Sequence, residues 1–128
     1  MFIIGENIHI IAPRVKEAIG TRDTRAIQEL ALAQVRAGAD ALDLNIGPQR
    51  KAGVEVMEWI VDAVQAVTDV PLSLDTTNLA AIEAGLKKCK KPAFINSTSA
   101  EAERLEMVPP VAAKYGAKLI ALTMAKEG

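Results

Sequence analysis

Short, β-prone apolar runs alternate along this chain with longer stretches of helical spacing, and that alternation predicts an α/β fold with a parallel sheet. Two further observations narrow it. Each apolar run finishes in carboxylate, amide or hydroxyl side chains, the arrangement a barrel mouth requires. The chain has 128 residues, enough for one domain but short of the roughly 250 that close an eight-stranded barrel. The expected fold is the N-terminal portion of a (β/α)8 TIM barrel, about five βα strands, truncated before closure.

The strands are expected at Phe2–Ile4, Ala41–Ile46, Val70–Leu74, Ala93–Ile95 and Lys118–Leu122. Between the first two, Ile27, Leu30, Ala31 and Val35 lie on one helix face that only Gln34 interrupts. Asp23 or Thr24 caps its start, and Gly38 stops it in a left-handed conformation. Met57, Ile60, Val61, Val64 and Val67 mark a second helix, with Val56 and Trp59 widening its stripe. A third follows Asn78, a good N-cap, and runs from Leu79 to Leu86. It ends among Lys87, Lys88, Lys90 and Lys91, which suit the negative end of a helix dipole and read as a solvated terminus. The fourth, from Ala100 to Tyr115, is expected to break at Pro109–Pro110 into two short helices, the second closed by Gly116.

Composition removes several classes of function. Charged residues make up 24% of the chain and the formal net charge is −1, so there is no basic footprint for a nucleic acid. Cys89, the only cysteine, cannot close an internal disulfide, and with His9 as the only histidine no metal site is expected. No basic segment precedes the first apolar run, and no stretch approaches the roughly 18 apolar residues of a membrane span. The expectation is a cytoplasmic domain with no membrane partner.

The strand ends carry the chemistry. The first run meets Glu6 and Asn7, the second carries Asp43 and Asn45, and the third delivers Asp75, Thr76, Thr77 and Asn78. The fourth delivers Asn96, Ser97, Thr98 and Ser99, and the fifth ends in Thr123. A doubly wound open sheet, which length alone favours, uses one or two such loops beside its switch point. Polar groups at every strand end favour the barrel, where all loops face one axis. Neither GxGxxG nor GxxxxGK[ST] occurs, so an ordinary nucleotide is not the expected ligand. A carboxylate and an amide on neighbouring strands suit a flat heterocycle. The carboxylate accepts two N–H bonds from a 2-amino-pyrimidinone edge, and the amide offers a donor beside an acceptor. Asp75 and Asn96 are the candidate pair. Asp43, Asn45 and Asp75 could also serve as loop or helix caps. His9 reads as a loop or surface histidine, and Cys89 as an ordinary thiol.

The segments IIGENI, ALDLNIGP, MEWIVDAVQAV, LSLDTTNLAAIEAGLKKCKK, INSTSAE and LIALTM resemble the N-terminal half of the methyltetrahydrofolate:corrinoid/iron-sulfur protein methyltransferases, over essentially all 128 residues. Dihydropteroate synthase and the folate domain of cobalamin-dependent methionine synthase share the strand-end pattern more loosely. The resemblance implies that residues 1–128 are the N-terminal half of a pterin-binding domain whose mouth holds 5-methyltetrahydrofolate, the methyl donor. It also implies a partner, a corrinoid or corrinoid/iron-sulfur protein carrying the cobalamin whose Co(I) takes the N5 methyl. By the same resemblance Asp75 and Asn96 hydrogen-bond the pterin, while Glu6 and Asp43 line the mouth.

There are departures. Asn7 and His9 stand where the family commonly has Arg and Asn, and Ala125 follows TM where an Asn is frequent. The family's further pterin-binding Asp and the Asn that contacts N5 lie on later strands. The catalytic residues are therefore expected beyond this stretch, and the 128 residues alone are not expected to turn over. An unclosed barrel leaves its first and last strands unpaired, so a homodimer or a longer natural chain is expected. The rival functions are a dihydropteroate synthase-like pterin enzyme and a non-catalytic α/β domain that binds a ligand or a protein.

Overall fold

The computed structural model describes residues 1–96 and 102–120, with the backbone alone for 102–107. In chain order the elements are β1 (Ile4–His9), α1 (Pro13–Thr21), α2 (Thr24–Arg36), β2 (Ala41–Asn45) and α3 (Gly53–Gln65). They continue with β3 (Leu72–Asp75), α4 (Leu79–Lys88), β4 (Phe94–Asn96), α5 (Ala102–Tyr115) and β5 (Lys118–Leu119). The strands are all parallel, and their order across the sheet is their order in sequence.

That order decides the architecture. Right-handed crossovers that always step the same way leave every helix on one face of the sheet. A doubly wound sheet must reverse its strand order to cover both faces, so the sequential order is that of a barrel arc. The packing agrees: α2 lies against β1 and β2, α3 between α2 and α4, and α4 against β3. Ile8, Leu42, Leu44, Leu74 and Ile95 point to the helices and are fully buried against Ile27, Met57, Ile60 and Ile82. Because strand side chains alternate, Asp43, Asn45, Ser73, Asp75 and Asn96 then share the opposite face. The Phe2 and Phe94 rings meet 5.7 Å apart, as a sheet curled toward that face brings them.

The expected caps are present. Asp23 accepts from the Ala26 amide at 3.1 Å, and Asn78 from the Ala81 amide at 3.1 Å. Gly38 and Gly116, just past α2 and α5, have φ of 105° and 64°, the left-handed region where glycine avoids a Cβ clash.

The structure corrects four expectations. The first strand covers Ile4–His9 rather than Phe2–Ile4, so Glu6 and Asn7 lie within it. The cause is a bulge: Gly5 pairs with Leu42 and Ile8 with Leu44, so Glu6 and Asn7 together face the single residue Asp43. The extra residue rephases the strand, sending Ile8 into the core and His9 to the polar face. Gln34, the interruption in the α2 stripe, serves this bulge, because its Oε1 accepts the Asn7 amide at 2.9 Å. A Cβ on Gly5 would sit 2.4 Å from that oxygen, so any larger residue there would have to displace the Gln34 side chain.

A helix the sequence reading omitted, α1, starts at Pro13 and buries Val15, Ala18 and Ile19. The expected break at Pro109–Pro110 is absent: α5 runs through both prolines. Val108 and Ala112, four apart and buried, hold the turns on either side of the pair against the core. Finally, His9 is the last residue of β1 and half-buried rather than a loop or surface residue. Thr123, Met124 and Ala125, and Ser97 to Ser99, lie outside the described residues.

Candidate functional site

The register lines up two rows on the uncovered face. His9, Asn45, Asp75 and Asn96 are successive partners across β1 to β4. One pleat below, Asp43, Ser73, Phe94 and Lys118 are partners across β2 to β5. Asp43 and Asp75 are thus diagonal neighbours on adjacent strands, and Asn96 stands beside Asp75. The Asn96 amide nitrogen lies 3.3 Å from Asp43 Oδ1 and 3.3 Å from Asp75 Oδ2, donating to both. Of the four candidates, Asp43, Asp75 and Asn96 therefore converge on one spot. Glu6, exposed on the bulge, reaches them only through its charge.

Surrounding groups hold this spot in place. Asp43 is 2% exposed, and Ser73 Oγ donates to its Oδ1 at 2.6 Å. Asn45 is largely committed elsewhere. Its Oδ1 accepts the Gly47 amide at 3.0 Å, and its Nδ2 lies 3.0 Å from His9 Nε2. The loops above are tied together as well: Thr76 Oγ1 donates to the Gly47 carbonyl at 2.6 Å, and Asn78 Nδ2 to the Gln49 carbonyl at 3.0 Å. Such side-chain ties fix loop positions without a continuous ladder.

Electrostatics distinguish Asp75. Burial, a hydrogen bond with Asp43 and the negative charge of Asp43 push its carboxyl up to about 8. Asn45 pulls it down somewhat, and Glu6 adds a further upward push. Two carboxyls this close do not both ionise readily, so near neutrality a proton stays with Asp75. Elsewhere, burial pushes the Cys89 thiol up to about 11, so it keeps its proton near neutrality.

Two concavities lie away from this spot. One, at the opposite end of the strands, is lined by Gln65, Pro71, Cys89 and Lys90; the other, between α1 and α2, by Arg14 and Glu29. Among the described residues no group of three or more His, Cys, Asp or Glu is arranged to hold a metal ion, and no helix is long and apolar enough to cross a membrane.

Sequence reasoning missed Ser73, Gln34 and the placement of His9. Ser73 left a signal: two residues before Asp75, it had to share the face of the acid. The bulge left none, since alternation cannot show where a strand gains a residue.

Sequential parallel winding with a polar rim at the strand C-termini defines an α/β protein built as part of a (β/α)-barrel. The profile described as pterin binding enzyme matches residues 14–128, and the chain belongs to that family. Among curated proteins, the methylcorrinoid:tetrahydrofolate methyltransferase of Eubacterium limosum is 34% identical over 111 residues, covering 87% of this chain and 41% of the relative. The methionine synthases of Mycobacterium leprae and Mycobacterium tuberculosis are each 28% identical over 134 residues, which take in 100% of this chain and 11% of each relative. The chain thus spans about two-fifths of the first relative and about a tenth of the others.

Proposed function

We propose that this chain supplies the pterin-holding side of a methyltransferase that passes the N5 methyl group of 5-methyltetrahydrofolate to Co(I) of a cobalamin carried on a partner corrinoid protein. The observation that carries the reading is the meeting of Asp43, Asp75 and Asn96 at the strand ends of a pterin-family barrel arc. In this reading Asp75 accepts the 2-amino and ring N–H donors of the pterin. Asn96 turns its amide from the two carboxyls to the ring, and Asp43 anchors both. The 3.3 Å bonds that Asn96 makes at present are long and easily exchanged for better-aligned ones. The corrinoid, when docked, supplies the cobalt that takes up the methyl group; the residues described here bind and orient the ring. The Eubacterium limosum relative is named for transfer in the opposite sense, from methylcorrinoid to tetrahydrofolate. A rim that grips the pterin serves either direction, since both pass through one transition state. The residues that act on N5, the cytoplasmic location and a homodimeric assembly belong to the proposal for the whole protein.

Asn96→Ala tests the reading. In the full-length protein it should weaken 5-methyltetrahydrofolate binding by about 10- to 100-fold, the worth of one or two hydrogen bonds to a polar ring. The decay of Co(I) absorbance on methyl transfer should slow in parallel, with little change in melting temperature. Unchanged affinity, measured calorimetrically, would contradict the assignment.

A further inference from the structure

Ser73 sits in the middle of β3 with no exposed surface, and a hydroxyl there carries a cost unless it is hydrogen-bonded. Its Oγ donates to Oδ1 of Asp43, directly opposite on β2, at 2.6 Å. The same oxygen receives the Asn96 amide at 3.3 Å. No loop intervenes, so the strand ladder itself fixes the geometry. We propose that Ser73 is a positioning residue of the rim: by holding Oδ1 of Asp43 it sets that carboxyl against Asp75 and Asn96, and it stabilises the doubly ionised pair that a ligand bearing N–H donors requires.

The last clause rests on the pterin reading; the first does not. Among the described residues the titratable groups on this face are Glu6 and His9 from β1, Asp43 from β2, Asp75 from β3 and Lys118 from β5. Described β4 adds only the neutral Phe94 and Asn96 to this face. Burial, the hydrogen bond and charge of Asp43, and the charge of Glu6 all oppose ionisation of Asp75. A hydroxyl donor works the other way, since a hydrogen bond to a charged acceptor favours the charged form, and two charges gain more from it than one. Without Ser73 the pair gives up its last proton less readily.

The test compares wild type, Ser73→Ala and Ser73→Thr in the full-length protein. Aspartate carboxyl titrations are followed by carbon-13 NMR without ligand, and tetrahydrofolate affinity is measured from about pH 6 to pH 9.5, which brackets the shifted titration. In Ser73→Ala the upper midpoint of the pair should rise by about 0.5–1 pH unit. Affinity should fall roughly three- to tenfold near pH 7 and recover toward the alkaline end, while Ser73→Thr stays within about twofold of wild type. A purely structural role would weaken binding equally at every pH. That result overturns the proposal, as does an unmoved midpoint in Ser73→Ala or a failure of Ser73→Thr to restore it. Should the midpoint move while the wild type binds no tetrahydrofolate, the role of Ser73 stands and the pterin reading falls.

Discussion

Replacing Asp75 with Asn is expected to cost the full-length protein about a hundredfold or more in 5-methyltetrahydrofolate affinity while raising its melting temperature. The affinity loss follows from geometry. Asn presents one acceptor and one donor where the ligand brings two donors, so one bond loses its charge assistance and the other is replaced by two N–H groups meeting head on. The stability gain follows from proton linkage. In the folded protein burial and Asp43 raise Asp75 from its usual 3.8 to about 8. Between those values the folded carboxyl keeps a proton that the unfolded chain has released. Stability therefore falls as pH rises through that window and levels off above it. Asp75 is half-buried, so solvent screening trims the effect to on the order of 1–2 kcal/mol. Asn removes the titration, and thermal melts should show the variant gaining more at pH 8 than at pH 5. A variant that melts lower than wild type at pH 8, or binds as tightly, would contradict this account of Asp75.

Leu74→Ala, one residue earlier, should do the reverse. Leu74 is fully buried on the helix-facing side of β3, against the core of α3 and α4. Removing its branched end should cost about 2–5 kcal/mol, through lost burial and the cavity left behind. In the full-length protein that lowers the melting temperature by roughly 4 °C or more. Once the variant is kept below its transition, tetrahydrofolate affinity should stay within about threefold of wild type, because no side chain on the rim has changed. Adjacent residues with opposite effects on stability and on binding would mark the two faces of one strand. A loss of affinity matching that of Asp75→Asn would show that the faces are not separable.

Much of this was legible in the amino-acid sequence, and for a definite reason. Alternating periods mark βα units, and polar residues that follow apolar runs mark strand ends; together these located Asp43, Asp75 and Asn96 before any coordinates. What brings the three together is register, which periodicity does not encode. Asn45, Asp75 and Asn96 share a row because of where each ladder begins. The bulge at Glu6–Asn7 was hidden because three polar or flexible residues in succession read as the end of a strand. In the folded protein a buried Gln34 oxygen takes the Asn7 amide, and the strand continues. Gln34 stood out as a break in an apolar stripe, but its partner is 27 residues away in sequence. Its Nε2 has no partner among the described residues, so the anchoring of the bulge leaves one buried donor unmet. The proline pair in α5 misled in the opposite direction. Local propensity argued for a break, and burial of Val108 and Ala112 on both sides outweighed it.

The most direct measurement is a titration of the full-length protein, labelled at aspartate carboxyl carbons and asparagine side-chain amides, with tetrahydrofolate. The Asp75 carboxyl and the Asn96 amide should shift together and saturate with a single dissociation constant. Saturable binding that leaves both signals where they began would place the ligand elsewhere and contradict the assignment of this rim.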